Sequence, residues 1–158
     1  MGKNKEFDLT SLKALPIENR KKIFPRLNNN LFECTSPNTT SYNCVAWSVG
    51  ITDKWISDDY SYTWPSGIPK GFGLESYIEY FSIHGYEKCD NGSLEVGYKK
   101  IALYADNNNE FTHVALQKED GTWTSKLGKY EDISHKSPQC LGGGYYGEVR
   151  LFMKCEKD

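Results

Sequence analysis

Apolar residues follow a helical spacing in the first half of the chain and a strand-like spacing in the second half. Residues 43–49 (NCVAWSV) form a short apolar segment that Gly50 ends, and this segment predicts a buried helix of about two to three turns. Three residues ahead of it are possible N-caps: Thr39, Thr40 and Ser41. Residues 74–83 carry apolar side chains at helical spacing before Gly85, and they predict an amphipathic helix.

Four later segments are short, rich in β-branched and aromatic residues, and separated by turn residues. They predict strands over residues 99–105, 110–118, 122–127 and 148–154. Helices that precede an antiparallel meander indicate an α+β fold. With 158 residues, the chain has the length of one domain with its own core. We interpret residues 1–33 as a polar N-terminal leader and residues 34–158 as that domain.

The turn between the second and third predicted strands determines which side chains share a face. Residues 119–121 (Glu-Asp-Gly) fit a three-residue hairpin loop with the glycine in the left-handed position. That register places Ser125 on the face of His113, one diagonal away. A two-residue loop would instead place Thr124 and Lys126 on that face. The three-residue register also gathers an apolar face that would cover the helix of residues 43–49: Phe111, Ala115, Trp123 and Leu127.

Composition and charge exclude several classes of protein. Lys and Arg number 19 against 21 Asp and Glu, for a formal charge of −2, so the chain lacks the basic surface of a nucleic-acid-binding protein. No segment approaches the ~20 apolar residues of a membrane span, and the polar N-terminus lacks the apolar run of a signal peptide. We therefore expect a cytoplasmic protein without nucleic-acid or membrane partners, although an effector exported without a cleaved signal would have the same features. The oligomeric state stays open.

Five cysteines stand at wide spacings without a CxxC pair, which argues against a disulfide framework and against a metal site, so no cofactor is expected. Cys44 stands at the head of the helix predicted over residues 43–49, where the helix dipole and the first N–H groups favour the thiolate. The alternative interpretation of Cys44 is a small, buried apolar residue without a chemical role, since free cysteines are among the most buried residues. His113 lies in a mostly apolar strand, whereas His84 precedes a helix end and His135 lies in a polar loop. Cys44 and His113 are therefore the candidate reactive pair.

A cysteine at the head of a buried helix, followed by a meander whose second strand contains His-Val-Ala (residues 113–115), resembles the papain-like superfamily. The similarity is greatest to compact NlpC/P60-type and CHAP-type cysteine hydrolases, which carry a turn like residues 94–97 (Leu-Glu-Val-Gly) before their first core strand. The resemblance implies a papain-like α+β core, in which a short Cys-bearing helix packs on an antiparallel four- to five-stranded sheet. Residues 42–153 are also similar to a family of small bacterial proteins of unassigned function, through the strings NCVAW, THVALQ, DGTWTSKLG, DISH and YYGEV.

The resemblance to cysteine hydrolases implies acyl transfer, with Cys44 as the nucleophile and His113 as general base and acid. In that superfamily a third polar residue about twelve positions after the histidine orients the imidazole. This count reaches Ser125, where His, Asn, Gln or Asp is usual. Asp132 and His135 stay as alternatives for the third role.

The expected function is thiol-dependent hydrolysis or transfer of an amide bond, as in a cysteine peptidase or amidase, with a peptide or small amide as substrate. Asn38 resembles the amide that helps to form the oxyanion hole in that superfamily, and its plain alternative is a turn asparagine. The residues expected to bind the substrate are Trp47, Trp64 and Trp123. The alternative function is a catalytically inactive papain-like binding module, whose aromatic groove for a peptide or a glycan would use Trp47, Trp55, Tyr60, Tyr62, Trp64 and Tyr86.

Overall fold

One antiparallel sheet dominates this computed structural model, which describes residues 17–27, 31–36, 39–59, 62–127 and 131–157. Its seven strands within those ranges are β1 (Phe32–Cys34), β2 (Glu87–Cys89), β3 (Tyr98–Ala105), β4 (Phe111–Gln117), β5 (Trp123–Lys126), β6 (Asp132–His135) and β7 (Glu148–Glu156). Across the sheet they lie in the order β1-β6-β5-β4-β3-β7-β2, and every neighbouring pair is antiparallel. Strands β3 to β6 therefore form a meander, which β7 extends beside β3.

The helices are short and few in the described ranges. They are α1 (Ile17–Ile23), α2 (Cys44–Ser48), α3 (Leu74–Ile83) and a 3₁₀ helix, Pro138–Leu141. Helix α3 has the predicted bounds, but α2 has only five residues because the chain leaves the helix at Val49 and turns at Gly50. None of the helices within these ranges has the length and apolar character needed to cross a membrane.

The β4–β5 hairpin has the register that the three-residue loop predicts. Leu116 pairs with Thr124 and Gln117 pairs with Trp123, and the backbone N–H of Lys118 donates to the Thr122 carbonyl at 2.7 Å. Gly121 has a φ of 89°, a conformation that side chains with a Cβ rarely adopt. The three-residue loop is therefore confirmed, and the two-residue alternative is wrong.

The predicted papain-like core with a four- to five-stranded sheet is wrong, because the sheet contains seven strands and the helices contribute little. Strands β1, β2 and β6 fall outside the predicted strands. The first two have three residues each and β6 has four, which is too short for the two-residue alternation of a strand to be visible in the sequence. Pairing partners distant in the chain stabilise them, as between Phe32 and His135.

Buried hydrophobic residues cover both faces of the sheet. A first cluster joins helices α2 and α3 to one face, through Ile101, Leu103 and Val114. A second cluster covers the opposite face and includes Ala102 and Tyr104. Successive residues of β3 thus alternate between the two clusters, as the geometry of a strand requires.

The apolar face that was expected to cover the Cys44 helix lies on the other side of the sheet. Ala115, Trp123 and Leu127 belong to the second cluster, whereas helix α2 packs against the first. Phe111 does pack against the first cluster, because the β3–β4 pairing shifts between Tyr104 and Ala105 and reverses the alternation there. The expected apolar face is thus divided by a β-bulge.

Part of the predicted N-terminal leader packs into the same core as the strands. Phe24, Leu27 and Phe32 are buried in the second cluster. The guanidinium of Arg26 donates two hydrogen bonds, of 2.8 and 2.7 Å, to the carboxylate of Glu148 at the start of β7. The structure therefore extends the folded region into residues that precede the predicted boundary at position 34.

Candidate functional site

Asn43 fixes the start of helix α2. Its side-chain oxygen accepts hydrogen bonds from the backbone N–H of Ala46 at 3.1 Å and of Ile56 at 3.2 Å, and its amide group donates to the Ile56 carbonyl at 2.8 Å. Asn43 is therefore the N-cap, in place of the candidates at positions 39–41. These bonds set Cys44 at the first position of the helix and hold the segment around Ile56 beside it.

Burial determines the protonation of the Cys44 thiol. It raises the pKa of the thiol to about 11, and this effect outweighs the backbone N–H groups of Val114, Val45 and Cys44 itself, which lower the pKa. The positive charge of Lys126 also lowers it. Burial therefore opposes the thiolate that the helix start was expected to favour, and with a pKa of about 11 Cys44 is a neutral thiol at pH 7.

A small aromatic cavity of about 240 Å³ opens beside Cys44, whose side chain is partly exposed. Four rings line it: Trp55, Tyr77, Phe111 and Tyr146. The Tyr77 and Phe111 rings are stacked, with centroids 3.8 Å apart. The other lining residues are also uncharged, and they include the hydroxyl-bearing Ser57 and Thr112. The cavity therefore suits an apolar group carried next to a reactive carbonyl.

His113 is fully buried on the opposite face of the sheet, among residues of the second cluster. Its Nε2 atom lies 3.0 Å from the Ser125 hydroxyl, and its ring is parallel to that of Tyr146 at a centroid distance of 4.2 Å. Its Nδ1 atom is buried without a hydrogen-bond partner in the described structure. Burial first, and His135 second, hold the pKa of His113 well below its ordinary value.

The hydrogen-bonded chain continues from Ser125 to His135. The Ser125 hydroxyl lies 2.8 Å from His135 Nε2, and His135 Nδ1 lies 2.8 Å from the Ser137 carbonyl. The Cys140 thiol donates to the same carbonyl at 3.0 Å and lies 3.7 Å from His135 Nδ1. Burial lowers the pKa of His135 to about 4, so this imidazole is neutral at pH 7.

Helix α2, which carries Cys44, packs against β4 and β5, whereas the His113 side chain lies on the other face of β4. The pairing of these strands is limited to the end near the hairpin, and helix α2 packs against both of them. Tyr146 connects the two surroundings, because it lines the Cys44 cavity and also stacks on the His113 ring. No hydrogen bond joins the sulfur to the imidazole in the part of the chain described here.

The comparisons with known proteins give one family. A family model described as a domain of unknown function, DUF7689, matches residues 33–154. The chain belongs to the DUF7689 family. The match includes Cys44, His113 and every strand from β2 to β6. No curated protein and no solved structure matches the chain.

Asp132, the other candidate of this DUF7689 domain for the third role, is not next to His113. Asp132 accepts a 2.5 Å hydrogen bond from the Tyr42 hydroxyl and pairs across the sheet with Lys126, on the face opposite to the Ser125 side chain. Asn38 lies outside the described residues. Within the described ranges, no three or more His, Cys, Asp or Glu side chains are grouped as metal ligands.

The three tryptophans that were expected to bind substrate are dispersed in the DUF7689 domain. Trp47 stacks on Tyr42 and donates to the Thr124 hydroxyl at 3.2 Å, while Trp64 donates to the Ile68 carbonyl at 3.0 Å. Trp123 is buried in the second cluster. None of the three lines the cavity beside Cys44 as the described residues define it.

Lys126 is a further functional candidate, which the sequence would place on the face of His113 only with a two-residue hairpin loop. Its side chain is fully buried, its Nζ donates to the Thr39 carbonyl at 2.7 Å, and it lies 5.4 Å from the centre of the Tyr42 ring. Burial lowers the pKa of Lys126 to about 8, and this effect outweighs the negative charges of Asp132 and Glu131, which raise the pKa. A lysine flanked by strand residues in the sequence gives no sign of this burial, because the covering groups come from residues 39–44.

Proposed function

We propose that the chain is a thiol-dependent hydrolase or transferase of amide bonds, with Cys44 as nucleophile and His113 as general base and acid. The observation that carries the proposal is the buried, unpartnered Nδ1 atom of His113, whose ring stacks on Tyr146, a residue that also lines the cavity beside Cys44. A buried ring nitrogen without a hydrogen-bond partner destabilises the fold, and a role as the proton acceptor in a reaction would explain why it is present. Ser125, which holds the other ring nitrogen at 3.0 Å, takes the orienting role.

The reaction begins with two neutral side chains. The Cys44 sulfur forms a bond to the carbonyl carbon of the substrate as its proton passes to His113 Nδ1, and the carbonyl π electrons move to the oxygen. The tetrahedral intermediate then breaks its C–N bond, and the proton on His113 passes to the leaving amine. Water attacks the resulting thioester with His113 as base, the C–S bond breaks, and the proton returns to the sulfur. An amine in place of water gives transfer.

Two backbone groups are candidates to stabilise the oxygen of the tetrahedral intermediate. The N–H groups of Cys44 and Val45 belong to the first turn of α2, where the helix itself offers no acceptor. The next N–H, of Ala46, is occupied by Asn43. A helix start thus offers two donors beside the nucleophile, without a contribution from Asn38.

The cavity indicates which acyl groups fit. Its volume of about 240 Å³ and its aromatic, uncharged lining favour a substrate with one apolar or aromatic group beside the carbonyl. A charged group would lose its hydration there without a counter-ion. The substrate class is therefore an uncharged N-acyl amide or a peptide with an apolar residue at the cleaved bond.

The test is hydrolysis of a matched set of amides that carry acetyl, phenylacetyl and succinyl groups. We expect turnover of the phenylacetyl amide, weaker turnover of the acetyl amide, and none of the succinyl amide. Cys44→Ala should abolish turnover. Phe111→Ala enlarges the cavity, so it should shift the preference to bulkier acyl groups while retaining turnover. Activity that persists in Cys44→Ala would refute the proposal.

A second candidate function is binding without catalysis, which the pKa of about 11 for Cys44 and the missing sulfur–imidazole hydrogen bond favour. The cavity rings would then hold an apolar side chain of a peptide or a glycan ring. Calorimetry distinguishes the two functions. If the protein is a binding module, the wild type and Cys44→Ala should bind a phenylacetyl amide with equal affinity, and neither should cleave it.

A further inference from the structure

The second face of the sheet contains a continuous line of buried hydrogen-bonding groups. It begins at His113 Nε2, passes through the Ser125 hydroxyl and both ring nitrogens of His135, and ends at the Ser137 carbonyl, with separations of 3.0, 2.8 and 2.8 Å. The side chains of His113, Ser125 and His135 are at most 1% exposed. Water therefore cannot exchange freely with these groups, and each must donate or accept within the line.

The Ser137 carbonyl at the end of this line determines which atom donates in each of its hydrogen bonds. A carbonyl oxygen only accepts, so the His135 Nδ1 atom at 2.8 Å must carry a proton. The neutral ring then has an unprotonated Nε2, which accepts from the Ser125 hydroxyl. With its proton committed to His135, the Ser125 oxygen accepts from His113, so the proton of His113 is on Nε2 and Nδ1 keeps its lone pair.

The opposite set of donors and acceptors would leave two buried groups with unfavourable contacts. His135 Nδ1 would present a lone pair to the Ser137 oxygen at 2.8 Å, where two acceptors repel. His113 Nδ1 would carry a proton with no acceptor among the described residues, and buried N–H groups without a partner are rarer than unpaired acceptors. The low pKa of both imidazoles agrees with one proton on each ring at pH 7.

We infer that His135 is a positioning residue, which acts through Ser125 to hold His113 in the tautomer protonated at Nε2. The inference rests on the proposed function, in which the lone pair on His113 Nδ1 receives the proton of Cys44. The orienting role is then shared by two side chains in series and a backbone carbonyl. His135 touches neither Cys44 nor the aromatic cavity in the described structure, so its effect on the reaction passes through Ser125 alone.

The direct test is a long-range ¹H–¹⁵N correlation spectrum of the full-length protein with ¹⁵N-labelled histidine at pH 7. The three histidines are assigned from the signals lost in His84→Gln and His135→Gln. We expect His113 to show a protonated Nε2 and an unprotonated Nδ1, and His135 to show the opposite pattern. A proton on Nδ1 of His113 would overturn the inference. This spectrum requires no activity, so it stands apart from the proposed function.

Two variants of His135 separate positioning from packing. His135→Phe keeps a ring but removes the acceptor for Ser125, so His113 should become a mixture of tautomers and Cys44 acylation should slow about tenfold or more, given the ~10⁴-fold loss that a wrong tautomer causes in a serine protease triad. His135→Gln restores an acceptor and should recover most of the rate. His84→Gln, at an exposed site, is the control and should react as wild type.

Each outcome of these variants decides a different point. Acylation of His135→Phe within twofold of wild type, with the His113 tautomer unchanged, would refute the positioning role. If His135→Phe does not fold, the wild-type spectrum and the rate of His135→Gln still decide. If the spectrum shows the inferred tautomer but Cys44 never becomes acylated, the proposed function is refuted and the tautomer assignment still holds.

Discussion

At the scale of single residues, the reactivity of Cys44 depends on two opposed effects. Three backbone N–H groups and Lys126 favour the thiolate, but the loss of hydration around the sulfur is larger and raises the pKa to about 11. His113 is neutral for the same reason. The free protein therefore holds a neutral thiol and a neutral imidazole, and in the proposed reaction a proton moves between them only as a substrate is attacked.

The pH dependence of Cys44 alkylation tests this neutral state. Iodoacetamide reacts with the thiolate, whose fraction rises about tenfold per pH unit below the pKa, so the rate should increase continuously from pH 7 to pH 10. Peptide mass spectrometry resolves Cys44 from the other four cysteines, and Cys44→Ser supplies the blank. A rate that reaches a plateau below pH 8 would instead indicate a preformed thiolate–imidazolium pair.

At the scale of elements, the position of Cys44 depends on how helix α2 is capped. A five-residue helix has little stability of its own, so the three hydrogen bonds of Asn43 to Ala46 and Ile56 define where it begins. They also close one wall of the cavity, because Ile56 belongs to its lining.

Asn43→Ala should lower the free energy of unfolding by about 2 to 3 kcal/mol, since it removes a helix cap and leaves buried groups of Ile56 without partners. Asn43→Asp keeps the acceptor and should cost less. Urea unfolding measures both, with the exposed Asn108→Ala as a control that should change stability by less than ~0.5 kcal/mol. A loss for Asn43→Ala as small as that of the control would contradict the role of the cap.

Elements with a strong local pattern could be predicted from the sequence, and those that depend on distant partners could not. Helix α3 and strands β3, β4, β5 and β7 have clear periodicity, and the turn glycine Gly121 fixed the register that brings Ser125 to His113. Strand β1 is stabilised by its pairing with β6, across about a hundred residues of chain. The bulge that moves Phe111 to the other cluster has no signal in the sequence either.

At the scale of the whole molecule, the sheet separates the aromatic cavity beside Cys44 from the buried histidines. One face carries α2, α3 and the aromatic cavity, and the other carries a second hydrophobic cluster that encloses His113 and His135. Burial on both faces explains why the side chains of the site have unusual pKa values. It also links the protonation of the site to the stability of the entire fold.

The unfolding free energy should fall as the pH is lowered from 7 to 4. Burial lowers the pKa of His135 from 6.5 to about 4, so over this range the unfolded chain binds a proton that the folded protein does not, and stability decreases by about 3 kcal/mol from this residue. His113 acts in the same direction. Urea unfolding at several pH values should show a shallower dependence for His135→Gln. His84→Gln should have a smaller effect in the same direction, because partial burial and Lys99 also lower the pKa of His84. Equal slopes for wild type and His135→Gln would contradict the burial of a neutral His135.

The most direct measurement is the rate at which an activated phenylacetyl ester acylates Cys44 at pH 7, followed by intact mass and peptide mapping. We expect a thioester on Cys44 in the wild type, none at that position in Cys44→Ser, and a rate at least about 100-fold lower in His113→Gln, since general base catalysis contributes ~10²- to 10⁴-fold. Acylation of folded His113→Gln within twofold of the wild-type rate would contradict this expectation, as would a thioester on another cysteine.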